Sequence, residues 1–398
     1  MNEFLLVLNS GSSSLKFALF SAAGSSTWPL VARGNIEGLG TAPTMSVRDG
    51  AGAALPTPPL PAGVRDARAA LEHVFAWLSG SFAGAHLVGV GHRVVHGGPR
   101  YAQPAIVTPE VLAELRRLIP FAPLHQPYNL AGIEAVADHR PEVAQVACFD
   151  TSFHRSLSAV AKLVPLPAEV RRGGIERYGF HGLSYEYIAS ILPQVAPRIA
   201  AGRVIVAHLG NGASLCALQG GRSVENTFGF TALDGLCMGT RPGALDPGVI
   251  LYLFQALGLT VSEVETILYK RSGLLGISAI SNDMRTLLAS AEPSAALALD
   301  YFVYRAAQEI GALTAVLGGL DALVFTAGIG ENSPVIRRRV CEACAWLGIE
   351  LDERANTANT SCISREASRV SVWRIPTNEE LVIARHTGRL LGLGAPPA

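Results

Sequence analysis

The sequence predicts an α/β protein made of two duplicated halves, each with a mixed central sheet flanked by helices and with a nucleotide cleft between them. Three observations predict it. A strand–polar turn–strand unit, Phe4–Leu8 and Leu15–Phe20 around Asn9-Ser-Gly-Ser-Ser-Ser14, returns about half a chain later as Val204–Leu209 and Leu215–Leu218 around Gly210-Asn-Gly-Ala-Ser214. Short buried strands alternate with segments of helical spacing. Three separate strands run into glycine-containing turns.

The elements follow in order. Residues 22–66 are rich in Ala, Gly, Ser, Pro and Thr and predict irregular edge strands and loops. Val64–Ser79 carries apolar residues at helical spacing. Leu87–Val90 is a strand ending at Gly91-His-Arg-Val-Val-His-Gly-Gly98, Pro109–Ile119 a helix with Pro in its first turn, and Val143–Phe149 a buried strand running into Asp150. In the second half Leu245–Leu257, Val261–Tyr269 and Ala295–Leu317 are helical and Ala322–Phe325 is a strand. Ser333-Pro334 opens a helix to Trp346. Val370–Ile375 is a strand, a last helix runs to about Leu391, and Pro396-Pro397 marks a frayed tail. The domain boundaries expected from this are 1–150 plus about 381–398 for one domain and 151–380 for the other.

Composition narrows the function. The chain has 398 residues, 32 basic and 32 acidic, and is 49% hydrophobic. Zero net charge gives no field for nucleic acid or acidic membranes, and the apolar content excludes a disordered chain. No apolar run approaches the roughly 20 residues of a membrane helix. The N-terminal Phe4–Leu8 run, preceded by an acid, reads as a buried strand and not as a signal peptide. Six cysteines in a chain of this length make no disulfide scaffold. Cys341-x-x-Cys344 lacks the second pair a zinc site needs and reads as core packing, so the thiols suit a reducing cytoplasm.

Glycine lets backbone amides approach an anion without a Cβ in the way. The first turn offers Ser12 and its neighbours with Lys16, one of the few lysines in an arginine-rich chain; the second offers His208, Asn211 and Gly212; the third, Gly328, Gly330 and Asn332, lies at a helix start, where the dipole favours negative charge. Any one of them could be a tight turn and no more. None has Walker A or dinucleotide-fingerprint spacing. Arg93 and Arg241 sit in glycine-rich loops at strand ends, as does His181. Fixed guanidiniums near a nucleotide suit phosphoryl transfer, whose charge spreads over three equatorial oxygens, although a surface ion pair is the plainer reading of each. His92, His96 and His154 read as structural histidines. Glu379 reads as a helix-capping acid or a metal-facing group.

Together these residues resemble the acetate kinases, in the superfamily of sugar kinases, actin and heat-shock chaperones. The resemblance rests on ten ordered blocks: Asn9-Ser-Gly-Ser-Ser-Ser-Leu-Lys16, Gly91–Gly98, Ala122-Pro-Leu-His125, Phe149-Asp-Thr-Ser-Phe-His154, Tyr178-Gly-Phe-His-Gly182, His208-Leu-Gly-Asn-Gly212, Met238-Gly-Thr-Arg241, Ser281-Asn-Asp283, Gly328-Ile-Gly-Glu-Asn332 and Ile375-Pro-Thr-Asn-Glu-Glu380. It implies two ribonuclease-H-like (actin-like ATPase) domains and a cytoplasmic homodimer held by the C-terminal one. The implied reaction is reversible transfer from ATP to acetate, giving ADP and acetyl phosphate. The implied cofactor is Mg2+, with Mn2+ able to substitute.

Carried over by position, Asn9 and Glu379 would hold the metal through water. Arg93 would bind the acyl substrate, Asp150 would be the catalytic acid, and His181 and Arg241 would stabilise the transition state. Ser12, Lys16, His208, Leu209, Gly210, Asn211 and Gly212 would contact ATP, as would Asp283, Met284, Arg285, Gly328, Ile329, Gly330, Glu331 and Asn332. Val95, Leu124 and Phe180 would line the methyl pocket. The family's usual Gly-Phe-Thr-Pro-Leu reads Gly229-Phe-Thr-Ala232-Leu here, Asp234 stands where Glu is common, and Pro242 where Cys or Ser is common. Ala232 replaces a wall of the acyl pocket, which leaves a propionate or other short-chain acyl kinase as the alternative. A more distant alternative is an actin-like ATPase without an acyl acceptor.

Overall fold

The structure, a computed structural model, describes residues 2–22, 27–61, 63–82 and 84–393. The tail expected at Pro396-Pro397 lies outside these residues. The chain divides into two compact units: Met1–Ser152 with Asn378–Ala398, and Phe153–Thr377. Glu379 therefore belongs to the first unit.

The first unit holds an eight-stranded sheet of β1 (Asn2–Ser10), β2 (Ser14–Ser21), β3 (Leu30–Glu37), β4 (Thr44–Asp49), β5 (Ala54–Leu55), β6 (Ala85–Val94), β7 (Ala105–Ile106) and β8 (Gln145–Phe149), in the order β5-β4-β3-β2-β1-β6-β8-β7. The second holds β9 (Arg203–Leu209), β10 (Ala213–Gln219), β11 (Arg222–Asn226), β12 (Ala322–Thr326) and β13 (Ser371–Arg374), in the order β11-β10-β9-β12-β13. In each sheet the first strand pairs antiparallel with the second and parallel with the next strand along, and the outer pairs repeat this pattern. The series β3-β2-β1-β6-β8 thus matches β11-β10-β9-β12-β13 strand for strand. This is the duplication the two hairpins predict, and it is the two-domain actin-like ATPase fold.

Within the segment expected to hold irregular edge strands and loops, β3 and β4 continue β2 as a regular meander, and loops follow Leu55. β2, β3 and β4 pair antiparallel in long registers. Their polar residues hid the period because one face meets solvent, while Ala32, Ile36 and Val47 turn inward. Behind them lies the helix Ala67–Ser81, capped by Asp66, whose carboxylate accepts the Ala69 N–H at 2.9 Å. Its Leu71, Val74 and Trp77 join Leu6, Leu8 and Phe17 in one core. Truncating such a buried Leu to Ala costs about 2–5 kcal/mol.

β6 runs four residues past the predicted end, through Gly91 to Val94. The glycines that suggested a turn instead admit the helix Glu379–Leu390. A Cβ on Gly91 would strike Thr387 and Ile383, and one on Gly89 would come within 2.5 Å of Leu391. The helices Gln126–His139 and Gly182–Val195 were not anticipated. The second of these packs Tyr185, Ile188 and Leu192 on β9, β10 and β12. Three predicted helices of the second unit begin near their expected positions: Pro247–Gln255, Val261–Thr266 and Pro293–Leu317. Cys341 and Cys344 are buried, as core packing requires.

Candidate functional site

In the first unit the site grows from the ends of neighbouring strands. β6 and β8 run parallel, with Val94 opposite Phe149, so Arg93 and Asp150 emerge side by side. Arg93 donates from Nε to Asp150 Oδ1 at 3.1 Å and from Nη2 to Oδ2 at 2.7 Å. Glu379, the first residue of its helix, brings Oε2 to 3.6 Å from Arg93 Nε. Burial alone would pull the Arg93 pKa down, but Asp150, Glu379 and Glu380 outweigh it and hold the guanidinium more firmly charged than usual.

Glu379 shows the converse. Burial raises its pKa well above the usual carboxylate range; Arg93 and Lys16 oppose this, and Asp150 and Glu380 add to it. Three acids thus face two bases, leaving negative charge in excess. Oxygen donors with surplus negative charge fit a hard divalent cation. Among the described residues no group of three or more His, Cys, Asp or Glu side chains is arranged to hold a metal, so a cation here would draw on other ligands as well.

Asn9, one residue before the end of β1, lies opposite Lys16 on β2, and the turn between the strands closes with Gly11 N–H donating to the Ser14 carbonyl at 2.8 Å. Ser12 is exposed on this turn. Sequence reasoning missed Asn129. Its nearly buried amide donates to the Ser10 carbonyl at 2.8 Å and accepts the Val95 N–H at 3.0 Å. One side chain therefore ties the serine turn to the strand end that carries Arg93. The only sequence signal was a pair of amides, Gln126 and Asn129, in an otherwise apolar stretch. Val95 is nearly buried and Leu124 half-buried in the same unit.

In the second unit His181 caps the helix Gly182–Val195 from the left-handed region, φ 56° and ψ 23°. A non-glycine residue held there stores strain of order 1–3 kcal/mol, which persists only where the surroundings over-determine it. They do so here. The ring stacks on His208 at 4.0 Å, meets Phe228 edge-on at 5.2 Å, and bonds through Nδ1 to Ser214 Oγ at 2.8 Å.

Arg241 donates from Nη1 to the Ala232 carbonyl at 2.6 Å. Burial lowers its pKa to about 10, which still leaves a cation at pH 7. Among the described residues it makes no ion pair with a carboxylate. A Cβ on Gly212 would lie 2.7 Å from Arg241 Nη2 and 3.3 Å from His181 Nε2, so both polar tips converge over that glycine. A partly desolvated guanidinium and an imidazole beside bare backbone make an anion site. Phe180 is buried edge-on against Phe228 at 5.6 Å, and Ala232 is half-buried.

A cavity of about 690 Å³ opens beside this pair. It gathers the predicted Gly210, Asn211, Asp283, Met284, Arg285, Gly328, Ile329 and Asn332. Five lining residues went unpredicted: Asn282, Leu288, Ser333, Pro334 and Val335. Its size and mixed lining suit a nucleotide-sized ligand. Gly328–Asn332 is part of a short helix, Ala327–Asn332, and not a simple turn. Leu209 is fully buried in the core, so its side chain is turned away from the cavity. Glu331 is structural as well: its Oε1 accepts the N–H groups of Ala327 at 2.8 Å and Thr377 at 3.1 Å. Arg337, completely buried, fixes the same helix by donating to the Gly330 and Glu331 carbonyls at 2.9 Å.

The histidines read as structural are buried and hydrogen-bonded in the core. His92 Nε2 meets Gln145 Oε1 at 2.7 Å, His96 Nδ1 accepts the Gly98 N–H at 2.8 Å, and His154 lies between Ser223 Oγ and the Phe180 carbonyl.

Comparison with known proteins adds the family context. The family model described as the acetokinase family matches residues 4–385. An acetate kinase of Rhodopseudomonas palustris is 54% identical over 396 residues, covering 98% of this chain and 99% of its own. An acetate kinase of Rhizobium meliloti is 50% identical, covering 98% of each. Among solved structures, a propionate kinase from Francisella tularensis superposes with a TM-score of 0.90 at 35% identity, covering 97% of this chain and 99% of that one. The Porphyromonas gingivalis acetate kinase superposes at 0.84 with 34% identity, covering 98% and 100%.

Proposed function

The chain belongs to the acetokinase family, and from that premise we propose how its residues carry out ATP-dependent phosphorylation of acetate to acetyl phosphate. The acceptor is a carboxylate, ionised at pH 7 like Asp or Glu, so the nucleophile needs no general base. What remains is positioning and stabilisation of charge. The observation that carries the assignment is the convergence of Arg241 and His181 over Gly212, with no carboxylate neutralising Arg241 among the described residues. These two groups meet the transferring phosphoryl oxygens. An arginine so placed is worth about 10³–10⁵ in rate, or about 4–7 kcal/mol of barrier.

Arg93 receives the acyl group's oxygens, and Asp150 orients its guanidinium plane. To the methyl end we assign Val95 and Leu124 of the first unit and Phe180 and Ala232 of the second. Nucleotide occupies the cavity between Asp283–Arg285 and Gly328–Asn332, with His208–Gly212 toward its phosphates; in the first unit, Ser12 and Lys16 are the residues we assign to phosphate. Mg2+, held by Glu379 and Asn9 through water, would supply neutralising charge to those phosphates. The surplus negative charge around Glu379 supports this assignment.

Leu251, Tyr252, Val261 and Tyr304 are all more than half exposed on helices of the second unit. They support a homodimer through that unit. No described helix is long and apolar enough to cross a membrane. Cysteines buried in the core, Cys216, Cys237, Cys341 and Cys344 among them, are held as thiols and favour the cytoplasm. The deciding experiment is a coupled acyl-phosphate assay with acetate, propionate, butyrate and no acceptor. ATP turnover without an acceptor, equal to that with acetate, would reject the acyl-kinase assignment.

A further inference from the structure

The stabilising role given to His181 requires a proton on Nε2, the ring nitrogen beside Arg241 and Gly212. Which nitrogen carries the proton in a neutral imidazole is set by what the other one bonds. At the opposite nitrogen, Nδ1 meets Ser214 Oγ at 2.8 Å, and Ser214 Oγ in turn meets the Tyr185 hydroxyl at 2.5 Å. Ser214 and Tyr185 are both fully buried, and their side chains belong to the core of the second unit.

The two hydroxyl protons have few places to go. Among the described residues the Tyr185 hydroxyl bonds to Ser214 Oγ alone. Burial keeps this phenol protonated far above neutral pH, so it is a donor. Ser214 Oγ accepts that proton and must send its own elsewhere, and His181 Nδ1 is the acceptor at hand. If Nδ1 were protonated instead, Ser214 would either accept from both neighbours and leave its own proton buried without an acceptor, or donate to Tyr185 and leave the phenolic proton so.

We propose that Tyr185 and Ser214 are positioning residues that fix His181 in the Nε2–H tautomer and so aim a proton donor at the transferring phosphoryl group. The chain of donation runs from Tyr185 through Ser214 to Nδ1. No bond breaks along it; it selects one of two neutral forms and locks the ring against rotation. The left-handed backbone of His181 sets the direction of the ring, and the relay sets its chemistry.

The inference rests on the role assigned to His181, and the test keeps the two apart. In 1H–15N spectra of the uniformly 15N-labelled protein at neutral pH, His181 should show an unprotonated Nδ1 and a protonated Nε2. Ser214→Ala should blur that signature toward a mixture and lower kcat about tenfold to a hundredfold, with KM for ATP and acetate little changed. Tyr185→Phe, which removes one oxygen and keeps the ring, should shift the spectrum in the same sense with a smaller loss, and it carries the test if Ser214→Ala folds poorly. A protonated Nδ1 in the wild type, or a His181 spectrum and kcat unmoved in Tyr185→Phe, overturns the proposal. His181→Ala with undiminished turnover would instead overturn the role of His181 itself and leave the tautomer assignment standing.

Discussion

Asp150 and Arg93, 57 residues apart in sequence, are joined at two points, Nε to Oδ1 and Nη2 to Oδ2. With both carboxylate oxygens engaged, Asp150 is placed to aim a guanidinium and poorly placed to take a proton. Asp150→Asn should lower kcat about a hundredfold or more and leave the shape of the pH–rate profile near neutrality unchanged. An activity that climbs steeply with pH only in the variant would mark Asp150 as a base.

Arg241 carries the transition-state charge in this mechanism. Arg241→Ala should reduce turnover about 10³-fold or more, with modest change in ATP affinity. Arg241→Lys should not restore it, because an ammonium cannot hold the Ala232 carbonyl with one arm and reach over Gly212 with another. Steady-state kinetics alongside nucleotide titration checks both halves of this expectation.

Ala232 bears on chain length. The family pattern that the sequence resembles has a proline ring at this position, and this chain has a methyl group. We expect propionate to be used within about tenfold of acetate in kcat/KM, since one methylene is worth about 1–3 kcal/mol. Ala232→Pro should sharpen selection for acetate while leaving acetate turnover nearly intact. An unmoved propionate-to-acetate ratio would show that neighbouring side chains, Phe228 and Phe180 foremost, set the limit instead.

Two buried histidines predict an acid-sensitive fold. Burial lowers the pKa of His92 and of His154 to about 4, against 6.5 in the open chain. Below 6.5 the unfolded chain binds protons that the folded one refuses. Their contribution is therefore whole above pH 6.5 and is lost as pH falls toward 4, on the order of 3 kcal/mol each. Melting temperature should drop across that window. His154→Asn should flatten the fall even if it lowers the plateau; a slope unchanged by that substitution would remove His154 from the account.

The apolar side chains on the second unit predict self-association. Leu251→Glu combined with Tyr304→Glu should convert a dimer into monomers in light scattering. Monomers already present in the wild type at micromolar concentration would refute the dimer.

The sequence made some of this legible and hid the rest for identifiable reasons. Glycine-rich strand ends stood out one by one, because Gly91, Gly212 and Gly328 break an apolar pattern. Their partnerships did not. That Arg93 meets Asp150 follows from β6 lying beside β8, a parallel pairing that no local pattern encodes. The meander β3–β4 was hidden by polar residues on its outer face. The helix Gln126–His139 was hidden by Gln126, Asn129 and Gly132, which spoil an apolar stripe: Gln126 bonds the backbone of His96 and Leu115, while Asn129 and Gly132 serve the serine turn, where a Cβ on Gly132 would collide with Ser10. Ser214 and Tyr185 read as ordinary strand and helix residues, since the hydrogen bond between them exists only once the helix Gly182–Val195 lies on β10.

The first unit is assembled from two stretches of chain separated by the whole of the second. A ribosome therefore delivers β1 to β8 long before the helix Glu379–Leu390 exists. During that interval the groove left by Gly89 and Gly91 has no helix to fill it, and Arg93 waits for Glu379. The second unit, one unbroken stretch, can close on itself as soon as it emerges. The half of the protein that is made first is thus the last to be finished, and a nascent chain stalled before Asn378 would carry a complete second sheet beside a first one still open along its β6 face.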